Sequence, residues 1–162
     1  MTPGLRNGLA VAALHIAIVG SLGAKLLVDR ATRPRGWARV APYDPNLPIR
    51  GRYVRLRLEA PLDPGAPGQG LVSLDVANQL VVAAPPSGAN PQRAFVADRN
   101  GVRTATLAEP VAYFIPEHVA DPSRRPAGEE LWAEVTLPRK GAPRPIQLGV
   151  KKDGVLTPLQ IR

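Results

Sequence analysis

Two hydrophobic patterns divide the chain. Between Arg6 and Lys25 there is no formal charge, and Leu26, Leu27 and Val28 carry the apolar run past Lys25. About 18–20 helical residues rise about 27–30 Å, the thickness of a bilayer's hydrocarbon core. The run 7–28 therefore predicts a single transmembrane anchor behind a short tail, 1–6, with the Lys25 stem able to snorkel to the interface. A cleaved signal peptide is the rival. Ser21 and Gly23 offer small residues before a cut, but no Ala-x-Ala site closes the run. His15 lies in mid-span without a second ionisable group beside it, so a neutral imidazole is expected there rather than a proton relay.

Beyond residue 43 the period changes from helical to two. In Arg52–Ala60, Val54, Leu56 and Leu58 fall on one face, and Tyr53, Arg55, Arg57 and Glu59 on the other. That alternation predicts a half-buried strand with a wet face. Gly51 precedes it, where the chain turns in from the Pro-rich approach Pro42–Ile49. Leu71–Val76 and Leu80–Ala84 read as strands around Ala77-Asn78-Gln79, with a helical turn between them as an alternative. Asn100-Gly101 and Asp153-Gly154 stand between strand-like runs and predict type I′ hairpins, whose two central residues need positive φ. Val111–Ile115 is a short apolar run closed by Pro116. Leu131, Ala133, Val135 and Leu137 alternate with Trp132, Glu134 and Thr136. Pro158 marks the last run as an edge strand or bulge. Many short strands joined by Gly/Pro turns predict a mainly β domain, 43–162, built as a small antiparallel sandwich or partly open barrel after one N-terminal transmembrane helix. The stretch 29–42, with Pro34, Gly36 and repeated Arg around Trp37, reads as a basic linker.

Composition narrows the chemistry. Net charge is +8 and the sequence pI is about 10.8, which favours anionic partners. The basic residues are scattered from Arg6 to Arg162, however, and only two Trp, three Tyr and two Phe accompany them, so nucleic acid is not expected. Arg30, Arg33, Arg35 and Arg39 could lie against anionic lipid headgroups. These charges follow the apolar run, and the positive-inside rule taken alone would hold the β domain in the cytoplasm. There is no cysteine, which removes disulfides, thiolate catalysis and Cys-based zinc sites. His15 and His118 are far apart, so no metal-ligand spacing exists and no cofactor is implied. Ser73, Ser87 and Ser123 with Lys140, Lys151 and Lys152 are the only material for a Ser/Lys hydrolase, and no motif supports a pairing. Glu117 with Glu129 or Glu130 is an equally unsupported carboxylate pair. No enzyme is expected. Tyr53, Arg55 and Arg57 are the best candidate binding residues: Arg can grip a carboxylate or phosphate in a fork beside a flat aromatic surface.

The segment Arg50–Leu58 resembles the signature of the GDYXXLXY family, Gly-Asp-Tyr-x-x-Leu-x-Tyr. Gly51, Tyr53 and Leu56 match, while Arg52 replaces the family's Asp and Leu58 its last Tyr. Tyr113-Phe114-Ile115-Pro116-Glu117 is similar to a second landmark. The resemblance implies a bacterial protein with a short inner-membrane anchor and one periplasmic β domain of unestablished biochemistry, paired with a polytopic membrane protein. Any role of the motif Asp does not carry over to Arg52. The expectation is a non-enzymatic interaction or assembly module with Gly51, Tyr53, Arg55, Leu56 and Arg57 at its face. The alternative is a binding protein for an anionic envelope ligand.

Overall fold

The computed structural model describes residues 3–43, 53–88, 90–99 and 101–161. Gly51, Arg52 and residues 44–49 of the Pro-rich approach lie outside the described residues, as does Asn100. The chain forms two units, Met1–Arg33 and Pro34–Arg162.

The first unit is helix α1, Pro3–Thr32. Its segment Gly4–Asp29, 26 residues with a mean hydropathy of 2.0, is long and apolar enough to span a membrane, and none of it is buried against protein. Both ends run past the expected anchor 7–28. At the C-terminal end Thr32 Oγ1 donates to the Val28 carbonyl at 2.8 Å, and Arg33 donates to Asp29 Oδ1 at 2.9 Å. Pro34 then stops the helix, having no N–H for the next bond and disfavouring helical φ/ψ at Arg33. His15 Nδ1 donates to the Val11 carbonyl at 2.8 Å.

The second unit is mainly β. Its strands are β1 Arg35–Pro42, β2 Tyr53–Pro61, β3 Gly70–Ala77, β4 Leu80–Ala84, β5 Gln92–Arg99, β6 Val102–Leu107, β7 Val111–Phe114, β8 Glu129–Thr136, β9 Arg144–Lys152 and β10 Val155–Pro158. Six of them bond in a ring, β1-β4-β3-β5-β6-β2, closed by the antiparallel pairing of β2 back onto β1. The expected sandwich or partly open barrel is thus a closed barrel. Closure needs one parallel contact, Trp37 beside Leu80, where the Trp37 N–H donates to the Gln79 carbonyl at 2.7 Å. Strands β8, β9 and β10 extend the sheet from β1, and β7 extends it from β2. β10, with Pro158, is an edge strand, where a missing N–H costs no ladder bond.

The interior follows the period of two. Val54, Leu56, Leu58 and Ala60 point inward from β2 and meet Val72, Val81, Ala105 and Leu107 in one cluster, which Leu131, Ala133, Val135 and Leu148 join. Burying each Leu contributes about 1.5–3 kcal/mol.

The basic linker expected at 29–42 is corrected. Its first part completes α1, and Arg35–Pro42 is β1, the strand that closes the barrel and carries β8. Its inward positions are Gly36, Ala38 and Val40. A Cβ on Gly36 would lie 3.1 Å from Val81 and 3.2 Å from Val76, so small residues are what the interior accepts here. That smallness hid the strand among Arg, Pro and Gly.

The hairpins form where positive φ is available. Asn78 and Gln79 have φ of 50° and 64°, so a tight turn, not a helical one, joins β3 to β4. Asp153 and Gly154, at 49° and 82°, join β9 to β10. Gly101, at 78°, opens β6 next to the register pair Arg99–Val102.

Candidate binding face on the barrel exterior

The outward positions of β2 run Tyr53, Arg55, Arg57, Glu59 and Pro61. Those of β1 run alongside, with Ala41 opposite Arg57 and Arg39 opposite Glu59. Just past β1, the Tyr43 N–H donates to the Arg55 carbonyl at 2.9 Å, which brings the Tyr43 ring onto the same face. The Arg57 guanidinium lies 4.2 Å from the centre of that ring and the Arg55 guanidinium 5.2 Å. A cation over an aromatic face is held by the ring quadrupole at a cost in water exposure that the stack offsets. Arg57 Nε is buried without a hydrogen-bond partner among the described residues. Tyr53 packs its ring 6.0 Å from that of Phe114 on β7, and Phe114 is 76% exposed.

Tyr53, Arg55 and Arg57 are therefore brought together as one half-buried stripe, with Tyr43 added. Leu56 is not part of that surface. It is 0% exposed and belongs to the core, because its parity on β2 points it inward. Gly51 lies outside the described residues.

Glu59 departs from the wet face expected of it. Its side chain is 3% exposed although it points outward, because residues on both flanks close over it. Arg99 Nη1 donates to its Oε2 at 2.9 Å, and Arg39 Nε lies 3.8 Å from the same oxygen. Arg39 also reaches Glu130 at 3.4 Å, and Glu130 accepts from the Trp132 indole N–H at 3.2 Å. Lys151 stands over the Trp132 ring at 4.9 Å. These groups border a cleft of about 360 Å³ whose apolar part includes Leu80 and Val102. Sequence reasoning missed it, since its residues come from seven strands, β1, β2, β4, β5, β6, β8 and β9. The one available signal was the outward parity of Trp132.

The serines take other roles. Ser73 Oγ donates to the Ser87 carbonyl at 2.6 Å and accepts from the Ser87 N–H at 2.7 Å, tying β3 to the loop that follows β4. Lys152 pairs with Glu129 at 3.6 Å, and Lys151 is the cation over Trp132. No Ser–Lys hydrogen bond is present among the described residues. Among them, too, no group of three His, Cys, Asp or Glu could hold a metal ion. Of the cations expected to meet lipid, Arg33 pairs with Asp29, and Arg39 with Glu59 and Glu130.

No family model, curated protein or solved structure matches this chain.

Proposed function

We propose that this protein is a membrane-anchored, non-enzymatic interaction module whose barrel docks a protein of the same membrane through the Tyr43–Arg55–Arg57 face. The observation that carries the reading is the stacking of Arg57 on Tyr43. Tyr and Arg dominate binding energy at protein interfaces, where they combine large contact area with fork-shaped hydrogen bonding. A guanidinium already held against a ring, on a strand of a closed barrel, loses little further freedom on binding. Helix α1 supplies the tether that would confine both partners to one plane. The resemblance to the GDYXXLXY family at Gly51, Tyr53 and Leu56 adds support for a bacterial inner-membrane setting, a periplasmic barrel and a polytopic partner.

The test is photocrosslinking in native membranes, with a benzophenone amino acid replacing the exposed Phe114 of the full chain. A discrete adduct with one multi-pass protein is expected. It should disappear when Tyr43 and Arg57 are both changed to Ala, and persist when the exposed Lys140 is. An adduct indifferent to the Tyr43/Arg57 pair would overturn the assignment of the face. Absence of any adduct across several outward positions would overturn the module itself. A reporter active only outside the cytoplasm, fused after Arg162, reads the side of the membrane.

A further inference from the structure

The cleft beside Glu59 is chemically distinct from the Tyr43–Arg57 stack. Its apolar part is left uncovered: Leu80 is 38% and Val102 52% exposed. Its charges are unequally engaged. Glu59 is occupied by Arg99 and Arg39, and Glu130 by Arg39 and the Trp132 indole. The cations have capacity to spare. Arg99 spends Nη1 on Glu59 while its side chain stays 46% exposed, and Lys151 has no ion pair among the described residues. Three cations face two carboxylates, so the cleft is net positive by one charge. A further cation would meet only engaged carboxylates. An anion would meet Arg99 held in a fixed orientation by a buried Glu59, together with the Lys151 ammonium.

We propose that this cleft binds a small organic carboxylate with an apolar body, its carboxylate held by Arg99 and Lys151 and its body seated on Leu80 and Val102. Size favours a free small molecule over a protein segment. The volume, about 360 Å³, falls at the small end of the roughly 300–1,000 Å³ typical of ligand sites. Glu59 acts as a positioning residue, fixing the Arg99 fork from behind. The site is independent of the docking face, so either can fail without the other.

The test uses the full chain in nanodiscs of neutral lipid, with 4-phenylbutyrate as the probe and 4-phenylbutanol and 4-phenylbutylamine as its neutral and cationic counterparts. Indole ¹⁵N–¹H spectra report Trp132, which lines the cleft, and Trp132→Phe assigns its signal apart from that of Trp37. Phenylbutyrate should shift the Trp132 signal in a saturable way. The alcohol and amine should bind at least tenfold more weakly. Lys151→Gln, which leaves the Glu59 pairs intact, and Arg99→Gln should each weaken phenylbutyrate about tenfold. If Arg99→Gln does not fold, Lys151→Gln decides. Equal binding of acid and alcohol, a still Trp132 signal, or an unchanged affinity in Lys151→Gln would overturn the proposal.

Discussion

Glu59 Oε2 accepts a hydrogen bond from Arg99 Nη1 at 2.9 Å across 40 positions of sequence, with the acid buried and the base half in water. The pair joins the exterior of β2 to the end of β5. Its asymmetry sets what each truncation does. Arg99→Ala leaves a buried carboxylate with Arg39 3.8 Å away, whereas Arg39→Ala leaves the closer partner in place. Removing the nearer base should therefore cost about 1–2 kcal/mol, discounted for its exposure, and removing Arg39 less than about 1 kcal/mol. Glu59→Ala should fall between them, because both released guanidiniums can turn to solvent. Denaturant midpoints of the full chain in neutral nanodiscs would check the order. A larger loss for Arg39→Ala would contradict it.

The two tight glycines should respond differently to a methyl group. A Cβ on Gly149 would lie 2.8 Å from Trp37 Cζ3 and 3.2 Å from the Thr157 carbonyl, a ring and a backbone atom. The nearest atoms to a Cβ on Gly36 would be methyls of Val81 and Val76, at 3.1 Å and 3.2 Å. Overpacking against atoms that cannot yield costs about 1–3 kcal/mol. Gly149→Ala should lie in that range and shift Trp37 fluorescence. Gly36→Ala should cost under about 1 kcal/mol, since the valine methyls can move by a few tenths of an ångström.

Gln79 is held at φ 64° in the turn between β3 and β4. An L side chain there costs roughly 1–2 kcal/mol, and glycine relieves it at some entropic expense in the unfolded chain. The bond from the Trp37 N–H uses the Gln79 backbone carbonyl and survives the change. Gln79→Gly is thus expected to raise stability by about 0.5 kcal/mol. A lower unfolding midpoint would show that the side chain does more than occupy the turn.

Ser73 is a clasp. Both of its Oγ hydrogen bonds go to the backbone of Ser87. Ser73→Ala should destabilise by about 1–3 kcal/mol, because it leaves both groups of Ser87 seeking partners in a part-buried site. A fluorophosphonate probe should not label the wild-type chain at Ser73. Labelling would revive the hydrolase alternative.

Much of this architecture is legible residue by residue, and the exceptions share a cause. Val54, Leu56 and Leu58 declare their inward face because alternation in β2 is unbroken and the side chains are large. The Asp153-Gly154 hairpin is legible because few residues accept positive φ. β1 is not, because two of its three inward positions are Gly36 and Ala38, and Val40 alone leaves too little hydrophobic signal to count. The Tyr53–Arg55–Arg57 stripe follows from parity alone, yet Tyr43 joins it through one backbone hydrogen bond that no local pattern encodes.

By itself the sequence determined an apolar helix at the start, a mainly β domain, its hairpin turns and the inward face of its surest strand. Each of these is a local matter of period, length or φ. Only the tertiary structure decided that the sheet closes, that Arg35–Pro42 is the closing strand, that Glu59 is buried, and that Arg99, Trp132 and Lys151 border one cleft with it. Those outcomes depend on which distant strands pair, and pairing is settled by how the whole interior packs.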